Sequence, residues 1–124
     1  MKKTNHVYLR HVLDAIRKIR DYTAGGETAF LADTRTQDAV IRNLEVIGEA
    51  VKRLDPSLTA KYPEIPWKRI AGMRDKMIHD YLGVNLQIVW RTVGEELPAL
   101  ENRIAQILAE ADDGNGQRPP VDSR

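Results

Sequence analysis

The 124 residues include no cysteine, which excludes disulfides and thiolate metal sites and fits a reducing compartment. Aromatic residues are scarce. One Phe, two Trp and four Tyr offer little of the interleaved stacking used by general single-strand binders. An excess of either charge is also missing, with 19 basic residues against 18 acidic ones and a net charge of +1, so any anion-binding site has to be local. The start of the chain has Lys2 and Lys3 but no uninterrupted apolar stretch, and no later run approaches membrane-spanning length, so the expectation is a soluble, cytoplasmic protein with no membrane association. There is no glycine-rich phosphate loop, no internal repeat and no strand-length alternation of period two. His6 and His11 lie five apart with no carboxylate at a ligating offset, so they read as surface residues and no metal site is expected.

What is present is helical periodicity. Leu9, Val12, Leu13, Ile16 and Ile19 share one face of a first helix expected from Thr4 or Asn5, either a plausible N-cap, to Tyr22, where Gly25 and Gly26 stop it. Residues 27–33 read as a linker or one short turn, and Thr34 with Gln37 as a capping box. Val40, Leu44, Ile47, Val51 and Leu54 then mark a buried seam, within which Gly48 suggests a close helix approach. Asp55-Pro56 ends that helix, and a proline-rich connector with a short turn around residues 57–62 leads to Pro66, which suits a first helical position. Asn85 should cap a last helix carrying Leu86, Val89, Val93, Leu97, Leu100, Ile104 and Ile107, with a kink or break at Pro98. The pattern ends after Ala111. The expected organisation is therefore an all-α, four-helix up-down bundle over residues 1–111 with a disordered tail over 112–124, because the tail's polar, Gly and Pro content cannot offset ordering entropy.

Chemistry concentrates in Arg74-Asp75-Lys76-Met77-Ile78-His79-Asp80-Tyr81, near the end of a helix expected from Pro66 to just before Gly83. Trp67, Ile70, Met73, Met77 and Tyr81 form its apolar stripe, with Arg74 on the margin. Asp75 sits one turn before His79 on nearly the same side and could orient the imidazole. The helix C-terminus, Asp75 and Asp80 all favour protonated His79, and Arg74 adds a planar cation able to grip phosphate oxygens with two hydrogen bonds. Spacing alone fits equally a surface arginine, a solvated helix-end histidine and a packed tyrosine ring.

Arg74, four residues, His79, one residue, Tyr81 resembles the motif of the HEPN superfamily, specifically its HepT-like toxins, whose partner is a minimal nucleotidyltransferase antitoxin. The likeness extends further. Asn43-Leu-Glu-Val-Ile-Gly-Glu-Ala50 resembles the family's second-helix signature, and Tyr62-Pro-Glu-Ile-Pro-Trp67 with Gly72-Met-Arg74 resembles the approach to its active-site helix. The resemblance implies a homodimeric, metal-independent endoribonuclease without cofactor, in which Arg74 and His79 are catalytic across a dimer cleft and RNA is the substrate. It further implies that the cognate nucleotidyltransferase silences the toxin by transferring AMP to Tyr81. Asp75 is the supporting residue in this reading. The alternative, from a different class, is an idle helical adaptor that only binds the nucleotidyltransferase.

Overall fold

The computed structural model describes residues 1–73, 75 and 85–114, with side chains described to Ala111. Among them every regular element is helical, and together these elements form a bundle around one apolar core. The helices are α1 (Lys3–Tyr22), α2 (Glu27–Ala32), α3 (Thr34–Lys52), α4 (Pro56–Thr59), α5 (Trp67–Ala71), α6 (Leu86–Arg91) and α7 (Leu97–Gly114), with a π-helical segment, Thr92–Glu96, between the last two. Because α7 continues to Gly114, helical structure carries past the boundary expected at Ala111. Residues 115–124 lie outside the described residues.

The core follows the periodicity closely. Leu9, Val12, Leu13, Ile16 and Ile19 of α1 are buried, as are Val40, Leu44, Ile47 and Val51 of α3, and among the described residues these two helices form the most extensive packing. Gly48 is buried on α3 as well.

Helix ends depart from the sequence reading in instructive ways. The first helix begins at Lys3, without a side-chain cap, so Asn5 already lies inside it. Asn5 is buried and bonds across the fold: its Oδ1 accepts from the Asp55 backbone N–H at 3.0 Å and its Nδ2 donates to Asp55 Oδ2 at 3.4 Å. The expected capping box of Thr34 and Gln37 is replaced by Asp33, whose carboxylate accepts from the Arg35 N–H at 3.1 Å and the Thr36 hydroxyl at 2.8 Å. Gln37 instead donates from Nε2 to the carbonyls of Phe30 and Leu31 at 3.0 and 3.1 Å, satisfying acceptors that the end of α2 leaves open. The stretch read as a linker or one short turn is α2, a helix of six residues, too short to persist alone. Buried Phe30 anchors it, with its ring 5.3 Å from that of Trp90 on α6. Gly26 precedes α2 at φ +92°, a conformation that disfavours residues with a Cβ.

Pro66 stands immediately before α5 and not within it, and α5 ends at Ala71, so the single helix expected from Pro66 onwards is interrupted by a turn at Gly72 before helical residues resume at Met73. Asn85 does cap α6, its Oδ1 accepting from the Ile88 N–H at 3.4 Å. At Pro98 the helical run neither breaks nor stops. Pro98 lacks the N–H that would bond the Gly94 carbonyl, and its ring would crowd that carbonyl; the preceding turn widens to π geometry, and α7 continues.

Candidate functional site

Arg74, His79 and Tyr81 lie outside the described residues, as does Met77 of the expected stripe. What is described is the scaffold that delivers the chain to them. Asp75 is helical and exposed. Ile70 and Met73 are buried at 3% and 4% exposure. Helix α5 packs on α3. The Asn43–Ala50 stretch belongs to that helix, with Leu44 and Ile47 fully buried and Asn43 donating to the Ala39 carbonyl at 2.9 Å.

The Tyr62–Trp67 stretch acquires a physical role as a clamp. Trp67 Nε1 donates to the Tyr62 carbonyl at 3.0 Å, the Tyr62 hydroxyl donates to Glu110 Oε1 of α7 at 3.2 Å, and Ile65 between them is buried. The connector therefore holds α5 at one end and α7 at the other. Burial, and then the Glu110 carboxylate beside it, push the Tyr62 phenol above its ordinary range, so the hydroxyl remains a donor at neutral pH.

Between α5 and the π segment with α7 opens a cleft of about 280 Å³. Ile70, Met73, Leu97 and Leu100 give it an apolar floor. Two ion pairs cross its rim: Arg69 of α5 with Glu96 of the π segment at 3.3 Å, and Arg103 of α7 with Glu64 of the connector. Arg103 also donates from Nη1 to Gln106 at 2.6 Å, while its buried Nε has no partner among the described residues. Glu95 lines the same cleft and has no ion-pair partner among the described residues. Among the described residues of the rim, three carboxylates face two guanidiniums, an excess of one negative charge. The pairings of Arg69 with Glu96 and of Arg103 with Glu64 were invisible to periodicity and motif alike, because each joins residues distant in sequence.

The two N-terminal histidines are not equivalent. His11 is exposed and meets the Tyr8 ring edge-to-face at a centroid distance of 5.9 Å, whereas His6, expected at the surface, is half-buried. Among the described residues no group of His, Asp and Glu gathers in a way that could hold a metal ion, and no helix is long and apolar enough to cross a membrane.

A family model described as Ribonuclease HepT-like matches residues 12–107. The chain belongs to the HepT-like ribonuclease family. The matched span contains most of the α1–α3 packing, the Tyr62–Trp67 connector, the residues that line the cleft and the Arg74–Tyr81 stretch. A relative from Caldanaerobacter subterraneus subsp. tengcongensis, named a putative RNase, is 43% identical over 107 residues, covering 86% of this chain and 96% of its own. A probable ribonuclease HepT from Thermococcus cleftensis is 42% identical over 110 residues, covering 86% and 98%. A Methanocaldococcus jannaschii protein named gamma-glutamylcyclotransferase and putative RNase is 42% identical over 113 residues, but the chain spans only 51% of its length. No solved structure matches the chain.

Proposed function

We propose that this protein is a metal-independent endoribonuclease and the toxin of a prokaryotic toxin–antitoxin pair, acting in the cytoplasm as a homodimer. The observation that carries the reading is the family match over residues 12–107, which spans Arg74, His79 and Tyr81. Cleavage requires the RNA 2′-hydroxyl to attack the adjacent phosphorus, the P–O5′ bond to break, and charge on the phosphoryl oxygens to be stabilised. His79 takes the proton from the 2′-hydroxyl or returns one to the leaving 5′-oxygen, and Arg74 binds the phosphoryl oxygens with paired hydrogen bonds. Asp75 orients the imidazole. The products are a 2′,3′-cyclic phosphate and a 5′-hydroxyl, and no metal enters the balance.

A second copy completes the site. With a net charge of only +1, one subunit attracts phosphate weakly, whereas a symmetric pair places two Arg74 and two His79 around one groove. Regulation acts on the same stretch. AMP transferred to the Tyr81 hydroxyl by a cognate nucleotidyltransferase adds a negative phosphodiester near Arg74 and His79, which competes for the arginine and repels the RNA backbone.

The test is RNA cleavage in EDTA by wild type, Arg74→Ala and His79→Ala, each variant checked for native helicity. Wild type should leave cyclic phosphate ends, and each substitution should cost on the order of 10²-fold or more. Undiminished cleavage by both variants would leave the chain a helical partner without this chemistry. Incubation with ATP, magnesium and the nucleotidyltransferase should add mass in units of one AMP, lost in Tyr81→Phe, with cleavage falling in step.

A further inference from the structure

A net charge of +1 conceals an uneven distribution of charge among the helices. Helix α1 carries five basic residues, Lys3, Arg10, Arg17, Lys18 and Arg20, against Asp14 and Asp21, an excess of three positive charges. Helix α3 is balanced. Helix α7 has four acidic residues against Arg103, an excess of three negative charges. The positive excess is thus concentrated on one helix, which is where a local anion-binding surface can form on a nearly neutral chain.

Because the apolar face of α1 is buried in the core, its charges lie on the outer side. Lys3, Arg10 and Arg17 recur every seven residues, two helical turns each, and form an exposed row with Lys18 beside Arg17. At 1.5 Å of rise per residue, the row from Lys3 to Lys18 is about 22 Å long. Arg17 lies 3.7 Å from Glu101 of α7, and Arg20 bonds the same carboxylate more closely. The side chains of Lys3, Arg10 and Lys18 make no ion pair among the described residues, although Asp14 stands one turn from both Arg10 and Lys18. Three cations therefore remain available to an external anion.

The composition of the row selects its partner. Val7 is the one large apolar residue exposed beside it, whereas a stable protein interface is built on desolvated aromatic and apolar anchors. A helix lying in a membrane surface inserts its apolar face, and that of α1 is already packed against α3 and α7. A phosphodiester backbone needs neither, only cations of long reach at intervals. At about 3.4 Å per phosphate along a stacked strand, the row covers about six phosphates. We propose, resting on the ribonuclease reading for the identity of the polyanion, that the outer face of α1 is an RNA-backbone track, in which Lys3, Arg10 and Lys18 hold the phosphates of a single strand without reading its sequence. This is a second contact surface, built from residues other than Arg74 and His79.

The experiment follows, by fluorescence anisotropy over a series of salt concentrations, the binding of a labelled 2′-O-methyl RNA long enough to span the row; without a free 2′-hydroxyl it stays intact. Wild type is compared with the combined variant Lys3→Gln, Arg10→Gln, Lys18→Gln and with a control of equal charge change, Arg35→Gln, Lys52→Gln, Arg91→Gln, whose residues are exposed on α3 and α6. Asp14→Asn is the fourth protein. Each phosphate contact contributes about 0.7 to the slope of log affinity against log salt, so the α1 variant should flatten the slope by about 2 and bind roughly tenfold to a hundredfold more weakly at low salt. The control should lose less than about a third of that, and Asp14→Asn, which removes a negative charge from beside the row, should bind a few-fold more tightly. All four should melt alike. An α1 variant with wild-type affinity and slope, or a control that loses as much, overturns the track; cleavage of unmodified RNA by wild type then leaves the ribonuclease reading standing. A flattened slope in the α1 variant with no cleavage of RNA by wild type has the opposite meaning: the track stands and the ribonuclease reading falls. If the α1 variant loses self-association in sedimentation while binding RNA as wild type does, the face belongs to a second copy of the chain and the track is overturned.

Discussion

The two sides of this bundle are held by different forces. Along the α1–α3 seam the contacts are apolar and shut off from water, with Leu9, Val12, Ile19, Val40, Leu44 and Ile47 all at 0% exposure. Across from α5 to the π segment and α7, a cleft takes the place of a seam, bridged by Arg69–Glu96 and Arg103–Glu64 at its rim. Apolar burial contributes about 25 cal/mol per Å² and is not screened by salt, whereas exposed ion pairs contribute about 0–1 kcal/mol and weaken as salt rises. The difference teaches where adaptability resides: the seam fixes the scaffold, and the cleft side is bridged by contacts that can yield.

That contrast is easiest to break at Leu44. Leu44→Ala should cost about 2–5 kcal/mol, the range for deleting a buried leucine side chain, read as a fall in the urea midpoint at unchanged slope. A cost below about 1 kcal/mol would mean the seam collapses around the loss and is not the rigid half.

Asn5 sits where the seam meets the connector, and Asn5→Ala removes the acceptor of the Asp55 N–H. An unpaired buried donor costs about 1–3 kcal/mol, so this variant should fall between the apolar and ionic extremes. Asn5→Asp keeps the acceptor but sets a second carboxylate beside Asp55, and should not recover wild-type stability at neutral pH.

On the cleft side Glu96→Gln removes the charge opposite Arg69, both side chains being substantially exposed, and should cost no more than about 1 kcal/mol. The cost should shrink further in 1 M salt. A loss as large as that of Leu44→Ala, or one insensitive to salt, would show that the rim pair is part of the rigid scaffold after all.

The smallest effect concerns Asp33. Its hydrogen bond from Thr36, assisted by the backbone N–H groups of Arg35 and Thr36 and by the Arg35 charge, outweighs desolvation and holds the carboxyl below its ordinary value of 3.8. A depressed folded-state value means the cap stabilises α3 fully above about pH 4, and its contribution fades as pH falls through the lowered value. Unfolding followed from pH 5 to pH 2 should therefore show a component that is absent in Asp33→Asn. Equal acid slopes in the two proteins would remove Asp33 from the pH dependence.

Much of this architecture was legible because apolar residues at three- and four-residue spacing have one economical outcome. The α1 and α3 faces were read residue by residue, and Asn85 was recognised as a cap because its partner lies within one turn. Capping at the start of α3 was misplaced by one residue: Thr34 and Gln37 matched a local pattern, but Gln37 reaches back to the end of α2, a partner that no local pattern specifies. Asn5 was misread for the same reason, since its partner Asp55 is fifty residues away. At Pro98 the sequence announced a disturbance without its form, because widening to a π turn depends on neighbours that accept the extra backbone.

The sequence by itself determined the all-α class, the buried faces of α1 and α3, and the family, since periodicity and motif spacing are local properties of a chain. It also singled out Arg74, His79 and Tyr81, whose roles rest on resemblance and whose positions lie outside the described residues. Tertiary structure alone decided the cleft, its acidic rim, the Tyr62–Trp67–Glu110 clamp and the Arg69–Glu96 bridge. Each of these joins residues far apart along the chain, and which distant charges meet is settled only when the apolar faces have packed and set the angles between helices.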